Sequence, residues 1–306
     1  MTQYHLLNFI IGDGQVCPGI LVNGQVYSLA ENSKNFSIPK LPTSSLLEIL
    51  NSWEQCAPIL LRIAAEIDDS AAQGIALDEV KLDIPVRYPQ ALYCAGANYI
   101  DHLEEMTGKK PNKDEMSPFF FMKPPQPTMV PTKTTVAIPE FTKQLDWEAE
   151  IAIVIGKEAR EVNLDDAMNY VAGFTILNDL SARDLMKRFD VPFLFDWIGQ
   201  KCFMGAAPTG PWITPLSAVK DPNNLDIKLW VNDALHQDSN SSQLIFDYAE
   251  QIENLSKHVT LYPGDIIATG TPAGVGHGKG VYLKPGDVIR IEIEELGELI
   301  TYIEEW

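Results

Sequence analysis

The segment LDWEAEIAIVIG, residues 145–156, constrains the chain more than any other. Read as a strand, with side chains alternating between faces, it puts Glu148 and Glu150 on one side. Trp147, Ala149, Ile151, Ile153 and Ile155 then lie on the other. Two carboxylates share a face at the mouth of an otherwise apolar strand. Like charges that close repel and are costly to desolvate, so the arrangement is stable only with something positive between them. A hard divalent cation is the natural candidate. A solvated edge strand with two surface glutamates fits the same pattern.

A second segment supplies another acid. VAGFTILNDLSARD, residues 171–184, has the look of a buried strand ending at Asn178-Asp179, after which Ser181 and Asp184 stand at capping-box spacing and predict a helix. Asp179 is either a turn residue or a third oxygen ligand. With Glu148 and Glu150 it would leave positions for water or substrate, which suits Mg²⁺ or Mn²⁺ better than zinc. In YCAGANYIDHLEEM, residues 93–106, a short strand and a glycine turn precede a helical stretch. His102 and Glu105, three residues apart on it, share a helix face, so the carboxylate can orient the imidazole as a general base. An exposed helix pair is the alternative. Lys123, Arg183 and Lys201 stand in apolar or motif contexts where an unpaired cation is costly, which implies an anionic substrate or a carboxylate beside each. Surface snorkelling is the competing expectation, above all for Lys123.

Around these segments the organisation is β-rich. Residues 4–30 alternate apolar runs with turns, and Asn23-Gly24 is a strong hairpin signal. From Thr43 to Gln73 apolar residues recur at helical spacing, with Pro58 the expected break between two helices. The proline-punctuated stretch 78–89 places a domain boundary near residue 85, between a small N-terminal α+β domain, 1–85, and a larger second domain, 86–306. Strand-like runs dominate the second part, with helix-length stretches at 99–107, 164–170, 181–188 and 243–255. Two Pro-Gly-Asp turns, at 263–265 and 285–287, each launch an apolar strand. The fold class expected is a β-rich α/β protein.

Composition narrows the function. Lys plus Arg number 23 against 42 Asp plus Glu, a net charge of −19, which argues against a nucleic-acid partner. No apolar run reaches the roughly 18 residues of a membrane helix, and the N-terminus lacks a leader pattern, so the expected location is cytoplasmic. Cys17, Cys56, Cys94 and Cys202 are scattered singly and read as buried thiols. The glycine-rich stretch 270–280 lacks the ending of a phosphate loop and reads as a loop whose backbone approaches something closely.

Taken together, the residues resemble the fumarylacetoacetate hydrolase family. The likeness rests on GANYxDHxxEM, FFFMKPP, DWEAEIAIVIG, NDLSARD, GQKCFMGAAPTGPW, WVNDALHQDSNSSQLIF and LYPGDIIATGTPAGVG, in order over residues 90–295. It implies a β-roll catalytic domain, a small N-terminal domain, a homodimer, and Mg²⁺ or Mn²⁺ held at Glu148, Glu150 and Asp179. It also implies that His102 and Glu105 lie on a lid over the substrate, that Lys201 stands beside the metal, and that Thr271 holds a substrate carboxylate. Two departures bear on specificity: Met186 replaces a glutamine common in the family, and the stretch 188–199 is longer and more aromatic than in the shortest members. The expected activity is hydrolysis of a C–C bond in a small 1,3-diketo acid of the acylpyruvate or fumarylpyruvate type. Oxaloacetate decarboxylation, a hydroxymuconate-type isomerisation or tautomerisation, and metal binding without catalysis are the alternatives.

Overall fold

The computed structural model describes residues 3–12, 14–31, 41–69, 73–190 and 192–306. Asp13, residues 70–72 and Val191, over which the expected turn, helix end and aromatic stretch pass, lie outside them.

The chain opens with β1 (Tyr4–Ile11), β2 (Gln15–Val22) and β3 (Gln25–Ser28). Asn23 and Gly24 both have positive φ, 50° and 75°, the backbone of the two-residue turn whose twist suits a hairpin. Helices α1 (Leu46–Asn51) and α2 (Trp53–Asp68) follow. The break between them falls at Ser52 and not at Pro58, which lies inside α2. A proline there removes a single backbone donor, while the face made by Cys56, Leu60, Ile63, Ala64 and Ile67 packs on Tyr4, Leu6, Ile20 and Val22 of the hairpin.

The rest supplies β4 (Leu92–Gly96), α3 (Ile100–Thr107), β5 (Phe119–Lys123), β6 (Thr134–Ile138), β7 (Ala149–Ile155), β8 (Val171–Asn178) and α4 (Trp197–Lys201). It continues with β9 (Ala207–Pro215), β10 (Asp226–Val231), β11 (Ala234–Asn240), α5 (Tyr248–His258), β12 (Ile266–Ala268), β13 (Val288–Ile293) and β14 (Gly297–Glu305). Among the described residues the larger sheet runs β3-β2-β1-β9-β8-β7-β12-β4-β5, with the two-residue strand Ile75–Ala76 paired outside β3, and the smaller β11-β10-β13-β14-β6. The N-terminal hairpin joins the larger sheet where Leu6 of β1 pairs with Ile213 of β9.

β7 lies between β8 and β12, and both of its faces are covered. Ala149, Ile151, Ile153 and Ile155 enter the core shared with Ile227 and Leu229 of β10 and Ile289 and Ile291 of β13. Ala152 and Val154 enter the core under α2. A strand apolar on both faces belongs in the middle of a covered sheet, so the edge-strand alternative for residues 145–156 does not hold.

Both Pro-Gly-Asp turns launch strands as expected, β12 and β13. The helix expected over 181–188 is absent. Ser181-Ala182 pairs with Leu145-Asp146, and Arg183–Leu185 forms one 3₁₀ turn. The two residues at capping-box spacing are used elsewhere: the Ser181 hydroxyl donates to the Asp179 carbonyl at 2.9 Å, and Asp184 accepts from the Lys143 amide at 2.9 Å and from the Thr142 hydroxyl. The genuine capping box is Asp247 with Glu250, at the start of α5.

Candidate active site

Antiparallel pairing of β7 with β8 sets Ala149 opposite Asn178, so the residues that flank this pair, Glu148 and Asp179, meet at the sheet's end. The Asp179 amide donates to the Glu148 carbonyl at 2.9 Å, and the Glu148 amide donates to Asn178 Oδ1 at 3.1 Å. Carboxylate oxygens of Glu148, Glu150 and Asp179, one from each, lie within 4.8 Å of one another, and all three residues are buried.

Three cations converge on this cluster, unequally. Lys201 Nζ stands 2.7 Å from Asp179 Oδ2 and 2.8 Å from Glu148 Oε2. Arg183 reaches Glu148 Oε1 through Nη2 at 2.5 Å and Asp146 Oδ2 through Nε at 2.8 Å. Burial alone would raise the Glu148 carboxyl, yet Lys201 and Arg183 hold it well below the usual carboxylate range. Glu150 has no ion-pair partner among the described residues, and the Gly270 amide donates to its Oε2 at 2.8 Å. Burial first, then the charges of Asp179 and Glu148, push its carboxyl well above the ordinary value. A buried carboxylate with one backbone donor and two anionic neighbours is short of positive charge. Three hard oxygen donors gathered around that deficit fit a divalent metal.

The expected substrate contacts are placed differently. Lys123 is fully buried, donating to the carbonyls of Ala206 at 2.5 Å and Leu180 at 3.1 Å and pairing with Asp179. Its three ammonium donors are taken, so it is a strut beneath Asp179 and has no donor left for a substrate. The Thr271 hydroxyl donates to the Ala149 carbonyl at 3.0 Å and accepts from Gln237 Nε2 at 2.8 Å, so its hydrogen is likewise used within the protein.

α3 carries His102 and Glu105 on one face, with Nδ1 and Oε2 3.8 Å apart, an ion-pair separation and longer than a hydrogen bond. His102 Nδ1 is buried without a hydrogen-bond partner among the described residues. Glu105 also accepts from the Gly274 amide at 3.0 Å. Its carboxyl is held below the ordinary value by His102 first, then by that amide, against the opposing effect of burial. The glycine-rich loop approaches closely, as expected: Gly274 has φ 103°, and a Cβ there would lie 2.0 Å from the His236 carbonyl.

Three residues that the sequence did not single out hold the site together. Asp146 accepts from the amides of Trp147, Gly276 and His277 and from Arg183. Gln237 ties the Ala149 amide to Thr271 and to the Pro272 carbonyl. Asp101 takes the His102 amide at 2.7 Å, the Ser239 hydroxyl at 2.5 Å and the Ala273 amide at 3.3 Å. Each acts on groups remote in sequence, so only the motif context marked them.

A family model described as the fumarylacetoacetate hydrolase C-terminal domain matches residues 91–304, and the chain belongs to that family. It is 39% identical over 268 residues to the mitochondrial oxaloacetate tautomerase Fahd2a of Rattus norvegicus, which covers 87% of this chain and 81% of the relative. The fumarylacetoacetate hydrolase of Exiguobacterium antarcticum has the same fold, with TM-score 0.78 and 30% identity over 99% of this chain and 100% of that one. The maleylpyruvate hydrolase of Sphingobium sp. SYK-6, solved with manganese(II) and pyruvate, matches at TM-score 0.75 and 29% identity, covering 98% and 99%. The β-rich α/β fold is therefore that of the family.

Proposed function

We propose that the chain is a divalent-metal-dependent hydrolase of small 1,3-diketo acids, splitting an acylpyruvate or fumarylpyruvate-type substrate into pyruvate and a carboxylic acid. The observation that carries this is the buried triad of Glu148, Glu150 and Asp179 at the end of the strand pair β7–β8, in which Glu150 is short of positive charge, with the His102–Glu105 pair on α3. The manganese and pyruvate in the Sphingobium relative support it.

A divalent cation held by the triad would supply Lewis-acid polarisation of the 2-oxo acid end and lower the energy of the enolate that leaves. The remaining work belongs to side chains. Glu105, 3.8 Å from His102 on the same helix face, would orient its imidazole, which removes a proton from water as the water oxygen attacks the distal carbonyl. The C–C bond then breaks, its electron pair passes to the pyruvate enolate, and His102 returns the proton to carbon. Lys201 supports oxyanion charge as a donor: burial disfavours its ammonium, but Asp179 and Glu148 raise its pKa overall and keep it charged. Arg183 adds charge from the far side of Glu148.

A second reading is keto–enol tautomerisation of oxaloacetate, favoured by the 39% identity to the rat tautomerase. Both readings share the enolate and differ in whether water is added. Ultraviolet absorbance of acylpyruvates, fumarylpyruvate and oxaloacetate, followed with Mg²⁺ or Mn²⁺ and with EDTA, separates them. Metal-dependent loss of diketone with stoichiometric pyruvate, abolished by His102→Ala, is the expected result. Ketone–enol exchange of oxaloacetate without pyruvate from any diketone would overturn the hydrolase in favour of the tautomerase.

A further inference from the structure

A cavity at the foot of the N-terminal hairpin takes no part in the chemistry above. It encloses about 650 Å³, within the roughly 300–1,000 Å³ of small-molecule sites. One wall is the segment 76–82, where a 3₁₀ turn, Leu77–Glu79, leads into a short strand, Lys81–Asp83, paired with β1. The turn 131–134 ahead of β6, Trp212 of β9 and Ile300 of β14 complete it. None of these residues belongs to the metal triad, α3 or α4.

The lining is apolar and held in place. Leu77, Val80, Leu82 and Trp212 pack against a small core around Phe9, yet each is only half-buried and also borders the cavity. The Lys133 amide donates to the Ile300 carbonyl at 2.7 Å, and the Ile300 amide donates to the Thr132 hydroxyl at 3.0 Å. Across the cavity the Leu77 amide donates to the Gly24 carbonyl at 3.1 Å. The Trp212 indole is fixed by the His5 ring, 4.8 Å away between centroids, and by Gly297, where a Cβ would come within 2.5 Å of it. Walls tied in this way keep their shape when empty, so a ligand meets little ordering cost on entry.

Charge selects the occupant. Lys81 and Lys133 border the cavity, and neither has an ion-pair partner among the described residues. Of the two acids there, Glu298 stands 3.3 Å from Arg290, which leaves Asp78 alone against two ammonium groups. Lys133 has φ 61°, a left-handed backbone that strains a residue with a side chain and that recurs at ligand clamps. On a chain of net charge −19, an apolar cavity with surplus positive charge favours an anion with an apolar body.

We propose that this cavity is a second binding site, which takes an aromatic carboxylate. The ring packs on Trp212 and its apolar neighbours, and the carboxylate accepts charge-assisted hydrogen bonds from Lys81 and Lys133.

The test is calorimetric titration of the full chain with 2-naphthoate and with 2-naphthalenemethanol, a similar ring without the charge, in EDTA so that no metal ion captures the carboxylate. One naphthoate is expected to bind per chain, and the alcohol at least about tenfold more weakly. The double variant Lys81→Glu, Lys133→Glu, altered at two exposed positions, is expected to lose naphthoate affinity at least about tenfold and to bind the alcohol as the wild type does. No saturable naphthoate binding, equal affinity for the alcohol, or naphthoate affinity unchanged in the double variant overturns the proposal. Each outcome is read without turnover and is therefore separate from the reaction proposed above.

Discussion

Lys201 holds Asp179 across 2.7 Å of buried space and holds Glu148 with the same ammonium at 2.8 Å. The group is therefore a fixed counter-charge and a proton donor in hydrogen bonds, with no role as a base. Removing one member of a buried ion pair leaves the other uncompensated, at a cost of about 3–5 kcal/mol. Lys201→Met is expected to lose stability on that scale in EDTA and to recover part of it in Mn²⁺, which can neutralise the same carboxylates. Urea unfolding in the two buffers checks this, and equal losses in both would contradict it.

Asp101 ties α3 to two separate elements, β11 through Ser239 and the glycine-rich loop through Ala273. Asp101→Ala frees the helix to move without touching the metal triad. Turnover is expected to fall more than about tenfold, because small displacements of a catalytic group cost rate steeply, while Mn²⁺ affinity is unchanged. A parallel loss of metal affinity would show that Asp101 acts on the whole fold and not on the placement of His102.

His5 lies in β1, bonded to the Thr214 hydroxyl at 2.9 Å and packed 4.8 Å from the Trp212 ring. Burial lowers its pKa from 6.5 to about 4. The folded state thus prefers the neutral ring, and as pH falls below 6.5 the unfolded chain takes up the proton first. Stability from this group is complete above 6.5 and is lost as pH falls to about 4, a loss of about 3 kcal/mol. His5→Gln should remove that share of the acid slope. Denaturant titrations across the range measure it, and identical slopes in variant and wild type would contradict the assignment.

Much of the site was legible because strand alternation and a strand end are local patterns. Glu148 and Glu150 share a face in any strand, and Asp179 follows β8 immediately, so antiparallel pairing was enough to gather them. The Asn23-Gly24 hairpin was legible for the same reason. What escaped depends on partners far along the chain. Asp146 serves amides about 130 residues away, and the sequence gives no sign of where those donors point. Lys123 reads as a surface or ligand cation until the carbonyls of Leu180 and Ala206 are seen around it. Ser181 and Asp184 carried a real capping pattern, but the Asp179 carbonyl and the Thr142–Lys143 segment competed for their side chains and won.

The most direct test of the metal centre is a calorimetric Mn²⁺ titration of the metal-free wild type beside Glu150→Gln. Glu150 is the triad carboxylate without an ion-pair partner among the described residues, pressed by two like charges, so replacing it relieves repulsion in the metal-free protein and removes a ligand from the loaded one. The wild type is expected to bind one ion per chain, and the variant to bind at least about tenfold more weakly while unfolding no more readily in EDTA. Equal affinity in the two proteins would contradict the metal centre and, with it, the enolate chemistry built upon it.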